Sequence, residues 1–185
     1  MKRYAGILTA MTALLLLLLA GCSPRKTGEE QETALQEEDI QIGLSFDSFV
    51  IERWMRDRDV FVSTAQSLGA QVNVQIANGD VEEQISQIEY FISKDMDVIV
   101  IIAIDGDALT DVVRKAKEEG IRVISYDRLI PNAGTDLYIS FDNYRVGVLM
   151  GEALQEALPA GGNIFAIYGS PTDHNVELVQ QGLSE

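Results

Sequence analysis

Thiol and imidazole are scarce in this chain of 185 residues, which has one cysteine, Cys22, and one histidine, His174. A single cysteine excludes an intramolecular disulfide. One Cys and one His far apart argue against a zinc site. They also argue against a Cys/His nucleophile pair, since Cys22 sits beside an apolar leader. Positive charge is short as well: 14 Lys and Arg face 29 Asp and Glu, a formal net charge of −15. That balance disfavours a nucleic-acid partner, because phosphate binding needs a basic surface. No G-x-G-x-x-G follows the first apolar strand, and neither a Walker loop nor a G-x-S-x-G elbow is present. No catalytic pairing, metal site or cofactor is expected.

What is present begins with an export pattern. Lys2 and Arg3 precede an apolar run from Ala5 to Leu19, and small residues Ala20 and Gly21 follow. This order predicts a secretory signal over residues 1–21, too short for a comfortable membrane span. Leu19-Ala20-Gly21-Cys22 resembles the bacterial lipobox, which implies cleavage before Cys22 and lipid on its sulfur. Residues 22–39 carry Glu29, Glu30, Glu32, Glu37, Glu38 and Asp39, and such a run reads as a solvated tether. Its acidity disfavours anionic lipid, so the lipid on Cys22 must do the anchoring, on the extracytoplasmic side of the membrane.

From Ile40 the pattern changes to that of a folded domain. Ile40, Gly43 and Leu44 read as a short buried strand. Glu52 to Leu68 reads as a helix stopped by Gly69. Val72 to Ile76 is a β-branched strand, followed by an Asn78-Gly79-Asp80 turn. Asp80 suits the N-cap of a helix to about Lys94, in which Val81, Ile85, Ile88, Phe91 and Ile92 recur at three- and four-residue steps. The apolar run Asp97 to Ile102 suits a central parallel strand. A helix over Ala108 to Glu119, strands Val123 to Tyr126 and Leu137 to Phe141, and a helix over Tyr144 to Leu158 follow. Asn163 to Tyr168 is expected as a last strand before one more helix. Strands alternating with helices predict an α/β fold with a parallel sheet, in which ligands bind beyond the carboxyl ends of the strands.

Three segments should meet at that edge: Ser45 to Trp54, Tyr126 to Arg128, and Gly169 to Asn175. A neutral sugar offers vicinal hydroxyls and an apolar C–H face. An arginine fork donates paired hydrogen bonds, an aspartate accepts, an asparagine does both, and an indole offers a flat apolar wall. Arg53 with Trp54, Asp127 with Arg128, and Asp173 with Asn175 form a suitable set. Composition alone also allows blander roles. Arg53 and Trp54 fit a helix surface and a core, Asp127 with Arg128 fits a surface ion pair, and Asp173 fits a helix cap. Asp105 and Asp107 read as loop and cap residues, and His174 as an exposed loop residue.

The same stretches resemble a known family. Glu52-Arg-Trp-Met-Arg-Asp-Arg-Asp59, Ser67-Leu-Gly-Ala70, Ile76-Ala-Asn-Gly79 and Ser86-Gln-Ile-Glu89 are similar to type I periplasmic sugar-binding proteins of ABC importers. So are Glu119-Gly-Ile-Arg-Val123, Tyr126-Asp-Arg-Leu129, Tyr138-Ile-Ser-Phe-Asp-Asn143 and Gly169-Ser-Pro171. Within that family the likeness points to the D-xylose branch. It implies a two-lobed Rossmann-like protein that closes on its sugar by hinge motion. Arg53, Asp127 and Arg128 would bind from the first lobe (40–141), Trp54 would stack on the ring, and Asp173 and Asn175 would reach in from the second. Ser140 to Asp142 would be a hinge strand. It implies a monosaccharide, an ABC permease and the membrane as partners. A sensor histidine kinase is the alternative partner. Residues 142–185 are expected to be only the beginning of the second lobe, marginally stable and exposing apolar surface. A truncated product with weak or no binding is therefore a rival reading. An enzyme is disfavoured: Asp127 and Asp173 could in principle serve as a glycosidase carboxylate pair, but Arg128 beside Asp127 favours ionisation over the protonated form that acid catalysis needs. A repressor is excluded in practice, since an export signal stands where a helix-turn-helix would precede Ile40.

Overall fold

The computed structural model describes residues 39–185. The expected signal segment, Cys22 and the tether up to residue 38 lie outside the described residues. The elements are β1 (Gln41–Phe46), α1 (Glu52–Ser67), β2 (Gln71–Ile76), α2 (Val81–Ser93), β3 (Val98–Ile101), α3 (Thr110–Glu118), β4 (Arg122–Tyr126), β5 (Leu137–Ile139), α4 (Asn143–Ala157) and α5 (His174–Leu183). The five strands form one sheet in the order β2-β1-β3-β4-β5, and every neighbouring pair is parallel. The expected α/β fold with a parallel sheet is borne out. From β1 the chain passes to β2 on one side and then crosses back over β1 to β3 on the other. The β1/β3 boundary is therefore the topological switch point, where open α/β sheets take their ligands.

Alternation along the strands divides the core in two. Ile99, Ile101 and Val123 join Ile88, Phe91, Val112 and Val113 of α2 and α3 in one cluster. Leu44, Phe46 and Val100 join Trp54 of α1 in the other, with Phe61, Ile124 and Tyr126 packed against it. Gly43 of β1 is required by the first cluster. A Cβ there would lie 2.5 Å from the Phe91 ring, so the ring rests directly on the strand backbone. Asp80 caps α2 as expected, accepting from the backbone N–H groups of Glu82 and Glu83 at 3.0 and 3.2 Å.

The chain beyond β5 is built differently. Asp142 caps α4 by accepting from the Arg145 N–H at 2.9 Å. Helices α4 and α5 then approach backbone to backbone at two glycines. A Cβ on Gly147 would lie 2.1 Å from the Val179 carbonyl oxygen, and one on Gly182 would lie 2.1 Å from that of Tyr144. The expected strand Asn163 to Tyr168 is corrected: the segment has no ladder and is not a strand. Its apolar composition suits a sheet, but among the described residues no strand runs beside it, and extended backbone without a partner makes no ladder. Phe165 and Ile167 are accordingly 91% and 88% exposed. With Met150, Leu154, Val176 and Val179 the segment borders an apolar groove of about 580 Å³.

Candidate functional site

Four loops follow the carboxyl ends of β1, β3, β4 and β5, and a fifth segment enters from the N-terminus of α5. The turn after β4 sets the geometry. Asp127 has φ 63°, and the Arg128 N–H donates to the Tyr126 carbonyl at 2.8 Å. A three-residue turn with positive φ at its centre is rare and strained, and such strain gathers at functional sites. Aspartate tolerates the left-handed region better than bulkier residues do. Several hydrogen bonds hold the strained residue. The Asp127 N–H donates to the Ile139 carbonyl at 2.7 Å, and the Asp127 carbonyl accepts from Ser140 Oγ at 2.7 Å and Asn175 Nδ2 at 3.1 Å.

The turn sends its two charged side chains to different partners rather than into a pair with each other. The Asp127 carboxylate accepts from Arg53 Nη2 at 2.7 Å and from Asn175 Nδ2 at 3.1 Å. Arg53 also lies 3.7 Å from Asp57 Oδ2. Asp57 in turn accepts from the Tyr126 hydroxyl at 3.1 Å. Burial first, then the Asp57 carboxylate, raise the Tyr126 phenol above its ordinary pKa. Arg128 takes the other direction and bridges the switch point. Its Nη1 donates to Asp47 Oδ2 beyond β1 at 2.6 Å and to the Ala103 carbonyl beyond β3 at 2.9 Å. Its Nε lies 3.1 Å from Asp173 Oδ2. Asp173 is also the N-cap of α5, as composition allowed, accepting from the Asn175 N–H at 3.0 Å. Asn175 completes the ring by accepting from Asn143 Nδ2 at 3.0 Å.

Arg53, Asp127, Arg128, Asp173 and Asn175 thus meet at one edge. Trp54 is brought there differently from expectation. It is 1% exposed and faces the core beside Phe46 and Tyr126. Its ring carries the Arg53 guanidinium, with Cζ 4.0 Å from the centroid. A sugar cannot stack on a face already covered, so that expected arrangement is corrected: Trp54 supports Arg53 instead. The open aromatic ring at this edge is Phe141, 67% exposed, which lies 5.8 Å from the same guanidinium. Arg53, Tyr126, Asp127, Ile139, Ser140 and Phe141 line a notch of about 110 Å³. Ligand chambers run to about 300–1,000 Å³, so the notch is smaller than a ligand chamber.

Reading residue types alone missed Asp47, Asp57, Ser140 and Asn143. Asp47 stands just beyond β1, where the strand-end rule points. Asp57 falls four residues after Arg53 on one helix face. His174 is a half-exposed partner of Glu177, 3.4 Å away, and Asp105 closes its own loop by accepting from the Ala108 N–H at 3.0 Å.

The strained turn after β4, with arginines, carboxylates and amides gathered around it, marks the candidate site at the carboxyl edge of an open parallel sheet. The chain belongs to the periplasmic binding protein domain family, whose profile matches residues 42–185. It is 49% identical over 150 residues to the D-xylose-binding periplasmic protein of Haemophilus influenzae, covering 81% of this chain and 45% of that protein. Among solved structures it is similar to an ABC transporter solute-binding protein from Clostridium phytofermentans with bound β-D-glucose. There the TM-score is 0.71 at 35% identity, over 77% of this chain and 46% of the other. The fructose-binding periplasmic domain of a hybrid two-component system matches with TM-score 0.71 at 26% identity, over 77% of this chain and 48% of the other. The chain spans a little under half the length of these relatives.

Proposed function

We propose that this chain supplies the first-lobe wall and the first second-lobe groups of an extracytoplasmic receptor for a monosaccharide, D-xylose, serving an ABC-type importer. The observation that carries the reading is the convergence of Arg53, Asp127, Arg128, Asp173 and Asn175 at the switch-point edge. These are fork donors, acceptors and an amide of the kind that vicinal hydroxyls require. The 49% identity to a D-xylose-binding protein supports the pentose over other sugars. In this reading the sugar lies against the notch, with Arg53 fixed by Trp54 and Asp127, and Phe141 offers an apolar face to its C–H groups. Residues 40–141 form the first lobe, 142–185 begin the second, and Ser140 to Asp142 link them. The molecule binds and releases its ligand and performs no chemistry. Lipid on Cys22 holds it to the outer side of the membrane.

Isothermal titration of the chain from Ser23 onward with D-xylose, D-ribose, L-arabinose and D-glucose tests this. Saturable heat with xylose and weaker heat with the others is expected. No heat from a folded chain with any sugar would sink the claim that these groups bind a sugar by themselves. Radiolabelled palmitate should enter the protein and not its Cys22→Ala variant. A sensing role has one supporting observation, the likeness to a receptor domain of a two-component system. Co-purification of the sugar-loaded protein with a histidine kinase rather than with a permease would favour it.

A further inference from the structure

The apolar stripe of α2 contains two glutamines that face inward rather than out. Gln84 is 0% exposed, and burying an amide without partners is costly. Its partners are present and specific. Oε1 accepts from the Ile104 N–H at 2.9 Å. Nε2 donates to the Ile102 carbonyl at 2.9 Å and to Ser45 Oγ at 3.2 Å. The Ser45 hydroxyl donates onward to Gln87 Oε1 at 3.2 Å, and Gln87 donates to Glu83 at 3.2 Å. The amide therefore stands where a neighbouring strand would be. It accepts from one backbone N–H and donates to a carbonyl two residues earlier, just past the end of β3.

What it holds is the loop on which the site rests. Between those two bonds, the Ala103 carbonyl accepts from Arg128 Nη1 at 2.9 Å. The next carbonyl, that of Ile104, accepts from Thr172 Oγ1 of the segment entering α5 at 3.2 Å. We propose that Gln84 is a positioning residue for sugar binding: it clamps residues 102–104 so that Arg128 and Thr172 meet fixed carbonyls, although its own amide is buried in the core. The inference rests on the reading of Arg128 as a ligand-binding residue.

Gln84→Met keeps the volume and removes all three bonds. Gln84→Glu keeps the acceptor for Ile104 and loses the amide donors. The control is Val113→Ala, a fully buried core change in α3 with no bond to the loop. Amide exchange at Ile104 should be faster in Gln84→Met and near wild type in Gln84→Glu and Val113→Ala. The Arg128 Nε–H resonance should shift in both Gln84 variants only. The Kd for D-xylose should rise about tenfold in Gln84→Met, less in Gln84→Glu, and not in Val113→Ala at a temperature where all are folded. Unchanged exchange at Ile104, or an equal loss of affinity in Val113→Ala, overturns the proposal. If Gln84→Met does not fold, the Arg128 resonance and the Kd of Gln84→Glu decide the matter. A wild-type chain that binds no sugar defeats the functional reading and the affinity role with it, whereas exchange at Ile104 separately decides whether Gln84 holds the loop.

Discussion

Replacing Arg128 by methionine should destabilise the protein by about 3 kcal/mol. The figure follows from what the guanidinium leaves behind. Its side chain is 14% exposed, and the Asp47 and Asp173 carboxylates it separates are each 15% exposed. Methionine restores the volume but none of the charge, so two nearly buried carboxylates lose their shared cation. Removing one partner of a buried pair costs about 3–5 kcal/mol, and the remaining access to water places this case at the low end. Against a total stability of about 5–15 kcal/mol, the loss should lower the melting temperature by about 8 °C. Urea unfolding followed by circular dichroism reads it as a fall in midpoint at constant slope. Combining Arg128→Met with Asp173→Asn should restore part of the loss, since one of the two uncompensated carboxylates is then gone. Lys117→Met is the contrast. Lys117 pairs with Asp136, but their side chains are 27% and 35% exposed, so the cost should stay within about 1 kcal/mol. Equal losses for Arg128→Met and Lys117→Met would refute the claim that burial makes Arg128 the structural hub of this edge.

Gly147→Ala should cost about 2 kcal/mol, because its Cβ would meet the Val179 carbonyl at 2.1 Å, while Gly151→Ala, whose nearest contact is 3.5 Å, should be neutral or slightly stabilising; equal thermal midpoints for the two would refute the close approach of α4 and α5. The Lys117 ammonium first, then the Val123 N–H, hold the Asp136 carboxyl below its ordinary pKa. Its contribution is therefore complete above the ordinary aspartate value and is lost as pH falls through the lowered one. Asp136→Asn should flatten that acid limb, and an unchanged pH profile of stability would contradict it. Limited proteolysis should cut first between residues 159 and 170, where the backbone has no ladder and Phe165 and Ile167 stand exposed, leaving the sheet intact; resistance there, with earlier cleavage inside 40–141, would reverse the expected order of stability.

Elements whose side-chain period and partner lie within the same short stretch were legible. The stripe of α2, its Asp80 cap and the apolar run of β3 can each be read without knowing what lies opposite. Strands depend on neighbours that sequence does not display. Leu137 to Phe141 reads as one strand, but its partner β4 ends at Tyr126, opposite Ile139, and the Ser140 hydroxyl turns to the Asp127 carbonyl. Asn163 to Tyr168 has strand composition and no ladder at all. The candidate site was legible as a location, through the rule about strand ends, and only partly as an arrangement. No feature of composition says that Asp127 and Arg128 turn away from each other; that follows from the strained turn between them.

Trp54 shows how one periodicity supports one role over another. Positions 54, 61 and 65 fall on a single face of α1, and all three pack toward the sheet. Arg53 and Asp57 lie one step around the helix and face the edge together. An aromatic residue in the buried stripe belongs to the core unless the helix end is lifted, and Trp54 reaches the edge only through the arginine stacked on it. The same reasoning runs in reverse for α2. Gln84 and Gln87 occupy the buried stripe with Ile88 and Phe91, where an amide is tolerated only if its hydrogen bonds are met. Two such residues on an apolar face imply a buried polar network, and the backbone that needs one is the strand end that has run out of neighbours, at the switch point of the sheet.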